Sequence, residues 1–217
     1  MPTLDGIQPR SPVVYVVDSD VSVRNALSRL ISSVYLQVKV FGTAREFLRW
    51  QRPDAPSCLI LDVRLTDLNG LDLQSQLADA KIYIPIIFVT AHGDVSMSVR
   101  AMKAGAVDFL TKPYRDQDVL DAIHLGLEWG RVWRTREAEI NDLRRRFGSL
   151  TRRERDVVTM VASGALNKLI ADQLGVSENT VKAHRMRVMD KLQARSLPEL
   201  VKMIEQLDAY NALRDTA

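Results

Sequence analysis

Cys58-Leu59-Ile60-Leu61-Asp62 is an apolar run that ends in a carboxylate. A run this short, with no polar alternation, reads as a strand buried on both faces, as in a parallel sheet. The turn formers Asp67, Asn69 and Gly70 follow, so Asp62 is expected at the carboxyl end of a central strand. Open α/β sheets carry their chemistry at that edge. Three other runs end the same way. Val13-Val14-Tyr15-Val16-Val17 leads into Asp18-Ser19-Asp20, Ile86-Ile87-Phe88-Val89 into Thr90, and Val107-Asp108-Phe109-Leu110-Thr111 into Lys112-Pro113. Parallel strands would gather these tips into a cluster of carboxylates, one hydroxyl and one amine around Asp62.

Helical patterns alternate with those runs. Residues 21–31 carry Val23, Ala26, Leu27, Leu30 and Ile31 on one face. Leu36 to Val40 alternates like a strand nearer the sheet edge. Thr43 with Glu46 reads as a capping box for a helix through Trp50. Residues 71–77 are helical, 82–89 a strand, and 95–103 a helix stopped by Gly105. Residues 116–129 form the last helix of this half. Five such units predict a doubly wound, five-stranded parallel sheet.

Composition sets bounds. The chain has 217 residues and a formal net charge of +3, with a single cysteine, Cys58. One cysteine allows no internal disulfide and no paired-cysteine metal site, which fits a reducing cytosol. No apolar run approaches the roughly 20 residues of a membrane helix. The first eleven residues hold Pro2, Gly6 and Pro9 but no apolar core of a signal peptide. Residues 1–118 balance 13 basic against 13 acidic side chains, whereas Ser177 to Arg195 carries five bases and two acids. A neutral first half and a locally basic helix near the end suggest a division of labour.

Residues 131–147 show a thin apolar stripe (Val132, Ile140, Leu143, Phe147) amid many charges. They read as a charged helical linker with a solvated Arg144-Arg145-Arg146 run. From Leu150 the pattern is all-helical. Thr151 with Glu154 forms a second capping box. Residues 168–174 are a short helix, Gly175-Val176-Ser177 a tight turn, and Ser177 caps a longer helix to Leu192 with Val181, Val188 and Leu192 inward. Leu197 to Leu207 is a final helix. A short helix, a glycine turn and a basic helix make a helix-turn-helix. The expected organisation is 1–127, a 128–149 helical linker and 150–217.

The strand-tip cluster has a definite chemistry. Gathered carboxylates repel unless a cation joins them, and a hard ion such as Mg²⁺ suits oxygen ligands. Asp62 can act as a nucleophile toward phosphorus, with the cation, the Lys112 ammonium and the Thr90 hydroxyl neutralising the phosphoryl oxygens. The product is an aspartyl phosphate. Singly, Asp18 and Asp20 could cap the following helix; their joint placement with Asp62 and Lys112 favours a site.

Residues 13–127 resemble a response-regulator receiver domain, through Val16-Val17-Asp18, Leu61-Asp62, Val89-Thr90-Ala91, Met102 to Ala106 and Lys112-Pro113. Residues 150–207 resemble a LuxR-type helix-turn-helix, through Leu150 to Arg155, Asn167-Lys168, Leu174-Gly175-Val176-Ser177, Thr180-Val181-Lys182, His184-Arg185 and Lys191-Leu192. Together they are similar to the NarL/FixJ group of transcription factors. The resemblance implies a flavodoxin-like receiver joined to a four-helix DNA-binding domain, acting in the cytoplasm and not as an enzyme. Asp62 would be the phosphoacceptor, served by a sensor histidine kinase. Asp18, Asp62, the Arg64 carbonyl, and Ser19 or Asp20 would surround a weakly bound Mg²⁺. Thr90, Phe109 and Lys112 would form the switch, with a cis Lys112-Pro113 peptide. Ser177, Asn179, Thr180, Lys182, Ala183, Arg185, Met186 and Arg187 would face promoter DNA. Leu200, Ile204 and Leu207 would join a homodimer when active, with RNA polymerase as a further partner.

Two positions depart from the receiver pattern. Ser19 stands where a second metal-binding acid is usual, and Thr66 where proline is usual. They imply weaker metal binding and a looser loop after Asp62. A phosphorylation-independent regulator with a degenerate receiver is therefore the alternative. The acidic tips also resemble those of Mg²⁺-dependent phosphatases, but such an enzyme needs a second acid just after the nucleophile, where Val63 and Arg64 stand.

Overall fold

The computed structural model describes residues 11–91 and 93–215; the Pro2-to-Pro9 stretch read above lies outside them. The chain divides into two compact units, one ending at Arg134 and the other beginning at Thr135.

The first unit alternates β1 (Val13–Val17), α1 (Val21–Ser33), β2 (Gln37–Phe41), α2 (Ala44–Arg49), β3 (Ser57–Leu61), α3 (Gly70–Asp79), β4 (Ile86–Thr90), α4 (Val95–Lys103) and β5 (Asp108–Thr111), followed by α5 (Asp116–Gly148). The strands pair in the order β2-β1-β3-β4-β5, all parallel. This is the doubly wound five-stranded sheet that the apolar runs predict. Side chains of β3 serve both faces: Leu59 and Leu61 enter one core with Tyr15, Phe47 and Phe88, while Cys58 and Ile60 enter the other with Ile31, Ile87 and Ile123. Successive residues of a strand point to opposite faces, so a buried central strand must be apolar throughout. Burial pushes the Cys58 thiol up to about 12, which makes it a packing residue.

Two local readings change. β4 begins at Ile86, not Ile82. Pro85 has no N–H to give a ladder, although its carbonyl accepts from the Leu59 N–H at 2.8 Å. The box expected at Thr43 is half-formed: Thr43 accepts from the Glu46 N–H, but the Glu46 carboxylate accepts from Gly42 at 2.8 Å. Asp20, Asn69 and Asp94 cap α1, α3 and α4 through their side chains.

Helix α5 continues well past Trp129, to Gly148. Its first half lies close against β3. A Cβ on Gly126 would stand 3.0 Å from the Cys58 Cβ, and one on Gly130 only 2.8 Å from the Ser57 carbonyl oxygen. Trp133 stacks on Tyr83 with ring centroids 3.7 Å apart, and Arg134 pairs with Asp54 at 2.5 Å.

The second unit packs the end of α5 with α6 (Arg152–Ala162), α7 (Asn167–Leu174), α8 (Glu178–Leu192) and α9 (Leu197–Asp215). Its core gathers Leu143 of α5, Val157 and Val161 of α6, Ile170 of α7, Val181 and Val188 of α8, and Leu200 of α9. Within the stretch expected to be a linker, Leu143 is thus a core residue. The Arg144–Arg146 run is engaged, not simply solvated. Arg144 lies over the Tyr210 ring, Arg145 pairs with Asp142, and Arg146 donates to the Leu192 carbonyl at 3.0 Å.

The box at Thr151 is complete, and one buried carboxylate oxygen has two tasks in it. Glu154 Oε2 accepts from the Thr151 N–H at 2.8 Å and from Lys191 Nζ at 2.6 Å, joining α6 to the end of α8. The Lys191 ammonium, then the Thr151 donors, hold the Glu154 carboxyl below its ordinary value of 4.5. Folding therefore favours the ionised form. Its stabilisation is complete above that value and is lost as pH falls through the lowered one.

Three substitutions test this packing. Gly130→Ala should lower the melting temperature, because overpacking of about 1–3 kcal/mol outweighs the roughly 1 kcal/mol that alanine gains in a helix. Gly148→Ala, whose Cβ meets nothing within 4 Å, should raise it. Glu154→Gln should weaken the second unit in urea at neutral pH, and the difference from the unaltered chain should close on acidification below 4.5.

Candidate functional site

The parallel register of β1 and β3 builds the site. Val17 pairs with Leu61, and the Asp62 N–H donates to the Val17 carbonyl at 2.9 Å. Asp18 and Asp62 therefore leave neighbouring strand tips side by side. On the other flank Thr90 pairs with Thr111, and the Lys112 N–H donates to the Thr90 carbonyl at 2.8 Å. The Lys112-Pro113 peptide is cis.

Side chains complete the cluster. Lys112 Nζ lies 2.6 Å from Asp18 Oδ2 and 3.9 Å from Asp62 Oδ2. Asp18 is 2 % exposed, and its other oxygen accepts from the Asp20 N–H at 2.8 Å. A buried carboxylate needs such partners. Asp62 is more open, with its Oδ1 accepting from the Arg64 N–H at 3.3 Å. Thr90 is buried, and the half-buried Phe109 packs on Phe88. Thus Asp18, Asp62 and Lys112 meet, with Thr90 and Phe109 on the adjoining strands.

The two alternatives for a further ligand, Asp20 and Ser19, each make a bond of their own. The Asp20 carboxylate caps α1, accepting from the Ser22 N–H at 2.7 Å and its hydroxyl at 2.6 Å. The Ser19 hydroxyl oxygen accepts from the Thr66 N–H at 3.1 Å. Among the described residues no group of three or more acids, histidines or cysteines gathers as a metal would need from side chains alone. The donor set that remains is the two carboxylates of Asp18 and Asp62, both beside Lys112. It fits Mg²⁺, which commonly uses one or two carboxylates and keeps several waters.

Other contributors escaped the sequence reading. Arg24 donates through Nη1 to the carbonyls of Asp18 and Ser19, at 2.6 and 3.0 Å. Asp67, read as a turn former, accepts from the Ala44 and Arg45 N–H groups at the start of α2. Gly70 packs so tightly that a Cβ would stand 2.4 Å from the Asp62 carbonyl oxygen. Asp67 and Gly70 had a signal as turn formers, but their contacts, like those of Arg24, are tertiary and no spacing encodes them.

In the second unit, α8 turns Val181, Val188 and Leu192 into the core. That leaves Ser177, Asn179, Lys182, Ala183, Met186 and Arg187 exposed, with Thr180 half-buried. The Ser177 hydroxyl caps the helix on the Thr180 N–H. Gly175, at φ 64°, makes the turn from α7. Arg185 is braced, its Nη1 donating to Asn167 Oδ1 at 2.6 Å, which leaves further guanidinium donors. Leu200, Ile204 and Leu207, expected at a dimer contact, are instead buried in this unit's own core. Their apolar surface is used in packing α9 onto its own domain.

Residues 14–124 match the family described as response regulator receiver domain, and residues 148–204 that described as bacterial regulatory proteins, luxR family. The chain is 50% identical over 195 residues to nodulation protein W of Bradyrhizobium diazoefficiens, covering 90% of this chain and 86% of that protein. It is 40% identical over 190 residues to the transcriptional regulatory protein FixJ of Rhizobium meliloti, covering 88% and 93%. The solved structure of the response regulator StyR is similar at a TM-score of 0.75 and 45% identity, over 90% of this chain and 99% of that one.

Lys112→Met would leave the buried Asp18 carboxylate without its cation. Because the lysine is partly exposed, a loss of about 2 kcal/mol in urea unfolding is expected, short of the value for a fully buried pair.

Proposed function

The chain belongs to the response regulators that join a receiver domain to a LuxR-type DNA-binding domain, and on that premise we propose a transcription factor switched by phosphorylation of Asp62. The observation that carries this reading is the cluster of Asp62, Asp18 and Lys112 at the carboxyl edge of the sheet.

A sensor histidine kinase supplies a phosphohistidine. An Asp62 oxygen attacks its phosphorus, a P–O bond forms, and the P–N bond breaks, with the electron pair leaving on the imidazole, which takes a proton. Lys112 lies within reach of Asp62 and balances the charge that gathers on the phosphoryl oxygens. Thr90 and Phe109 respond to the new group as the switch pair. Asp18, Asp62 and the Arg64 carbonyl would hold Mg²⁺, which when bound neutralises phosphoryl charge. The reaction acts on the protein itself and turns over no outside substrate.

The readout is DNA. The exposed face of α8 offers Lys182 and Arg187 to phosphates, with Ser177, Asn179 and Thr180 beside them, while Arg185, Ala183 and Met186 lie toward base edges in the major groove. A homodimer forms when the receiver is active, in the cytoplasm, and RNA polymerase is a further partner. No helix among the described residues is long and apolar enough to cross a membrane. A second reading, a regulator that works without phosphorylation, is favoured by the Ser19 hydroxyl being bound to Thr66.

Incubation with Mg²⁺ and acetyl phosphate should add one phosphoryl group by intact mass, and Asp62→Asn should abolish it. An unmodified wild-type chain would favour the second reading.

A further inference from the structure

The bond between Ser19 and Thr66 spans 47 residues and joins the β1–α1 loop to the β3–α3 loop that follows Asp62. The β3–α3 loop has three other attachments. The Arg64–Asn69 bridge and the Gly70 N–H to the Val63 carbonyl, at 2.8 Å, close its base. The two Asp67 oxygens hold its far side on the Ala44 and Arg45 N–H groups, at 3.1 and 3.0 Å. Thr66, between these anchors, is exposed. The acceptor end is itself fixed, because Arg24 grips the carbonyls of Asp18 and Ser19. A proline at position 66 would have no N–H to give. The two departures from the receiver pattern are therefore the two ends of one hydrogen bond.

Resting on the reading of Asp62 as phosphoacceptor, we propose that Ser19 is a positioning residue for phosphoryl transfer, acting through the Thr66 amide. The tether holds the loop that carries Arg64, whose N–H donates to Asp62 Oδ1. A hydroxyl does this without adding a further negative charge beside Lys112, which pairs with Asp18 and lies 3.9 Å from Asp62. Transfer to Asp62 depends on how well its carboxylate is held, and small displacements cost rate.

The test uses the full chain with Ser19→Ala, Ser19→Thr, Thr66→Pro and the Ser19→Ala/Thr66→Pro double variant. Amide exchange at Thr66 is read by NMR without Mg²⁺ or phosphodonor, and phosphoryl uptake from acetyl phosphate by intact mass. Ser19→Ala should speed Thr66 exchange and slow uptake, each roughly three- to tenfold, the scale of one hydrogen bond. Ser19→Thr should restore both. In the Thr66→Pro background, Ser19→Ala should change uptake no further. Unchanged Thr66 exchange in Ser19→Ala, or a slowing of equal size in both backgrounds, overturns the tether. A wild-type chain that takes up no phosphoryl group overturns the phosphoacceptor reading and this role together, and the exchange measurement tells that failure from loss of the tether.

Discussion

The pairing of β1 with β3 is the constraint on which the first unit depends. Parallel register sets Val17 opposite Leu61, and every later feature of the site inherits that choice. Shifting one strand by a residue would turn its side chains to the other face. The apolar residues of β3 are divided between two cores, so neither core tolerates the slip. Hydrophobic burial thus fixes where two carboxylates emerge, and Lys112 makes their proximity sustainable. The Asp18 carboxylate, at 2 % exposure, is held by the ammonium at 2.6 Å and by the Asp20 N–H. The pocket is the polar consequence of an apolar register.

In the second unit the comparable interaction is the Glu154 carboxylate, which caps α6 and receives Lys191 from α8. It ties the scaffold to the helix that presents Lys182 and Arg187. Arg185 is steadied from α7 by Asn167, so its side-chain entropy is already reduced before any contact with DNA. The exposed bases of α8 stand on a well-anchored element, and sites on such elements are held more closely than sites on loops.

Most of this was legible in the sequence where burial and chain direction decide the outcome. The runs ending at Asp18, Asp62, Thr90 and Lys112 pointed to the sheet and to the meeting of Asp18, Asp62 and Lys112 at its edge. The glycine turn at Gly175 and the cap at Ser177 located α8. Long-range polar bonds were not legible. Nothing in the spacing says that Ser19 meets Thr66, that Arg24 holds the Asp18 loop, or that Glu46 caps Gly42 in preference to Thr43. The apolar face of α9 was readable as a face, but its partner was not. Leu200, Ile204 and Leu207 pack on their own domain, and a periodic stripe does not state what covers it. Likewise Pro85 shortened β4 because one missing N–H outweighs a favourable apolar run.

The most direct test of the central claim joins the two halves of the chain. Duplexes are selected by the full chain from a random pool. Its affinity for them is then measured at one fixed salt concentration, before and after phosphorylation with acetyl phosphate and Mg²⁺. A switched regulator should bind more tightly when phosphorylated, within the roughly 5- to 150-fold range of ordinary allosteric coupling, and the gain should vanish in Asp62→Asn. Equal affinity of the phosphorylated and unphosphorylated chain would contradict the account.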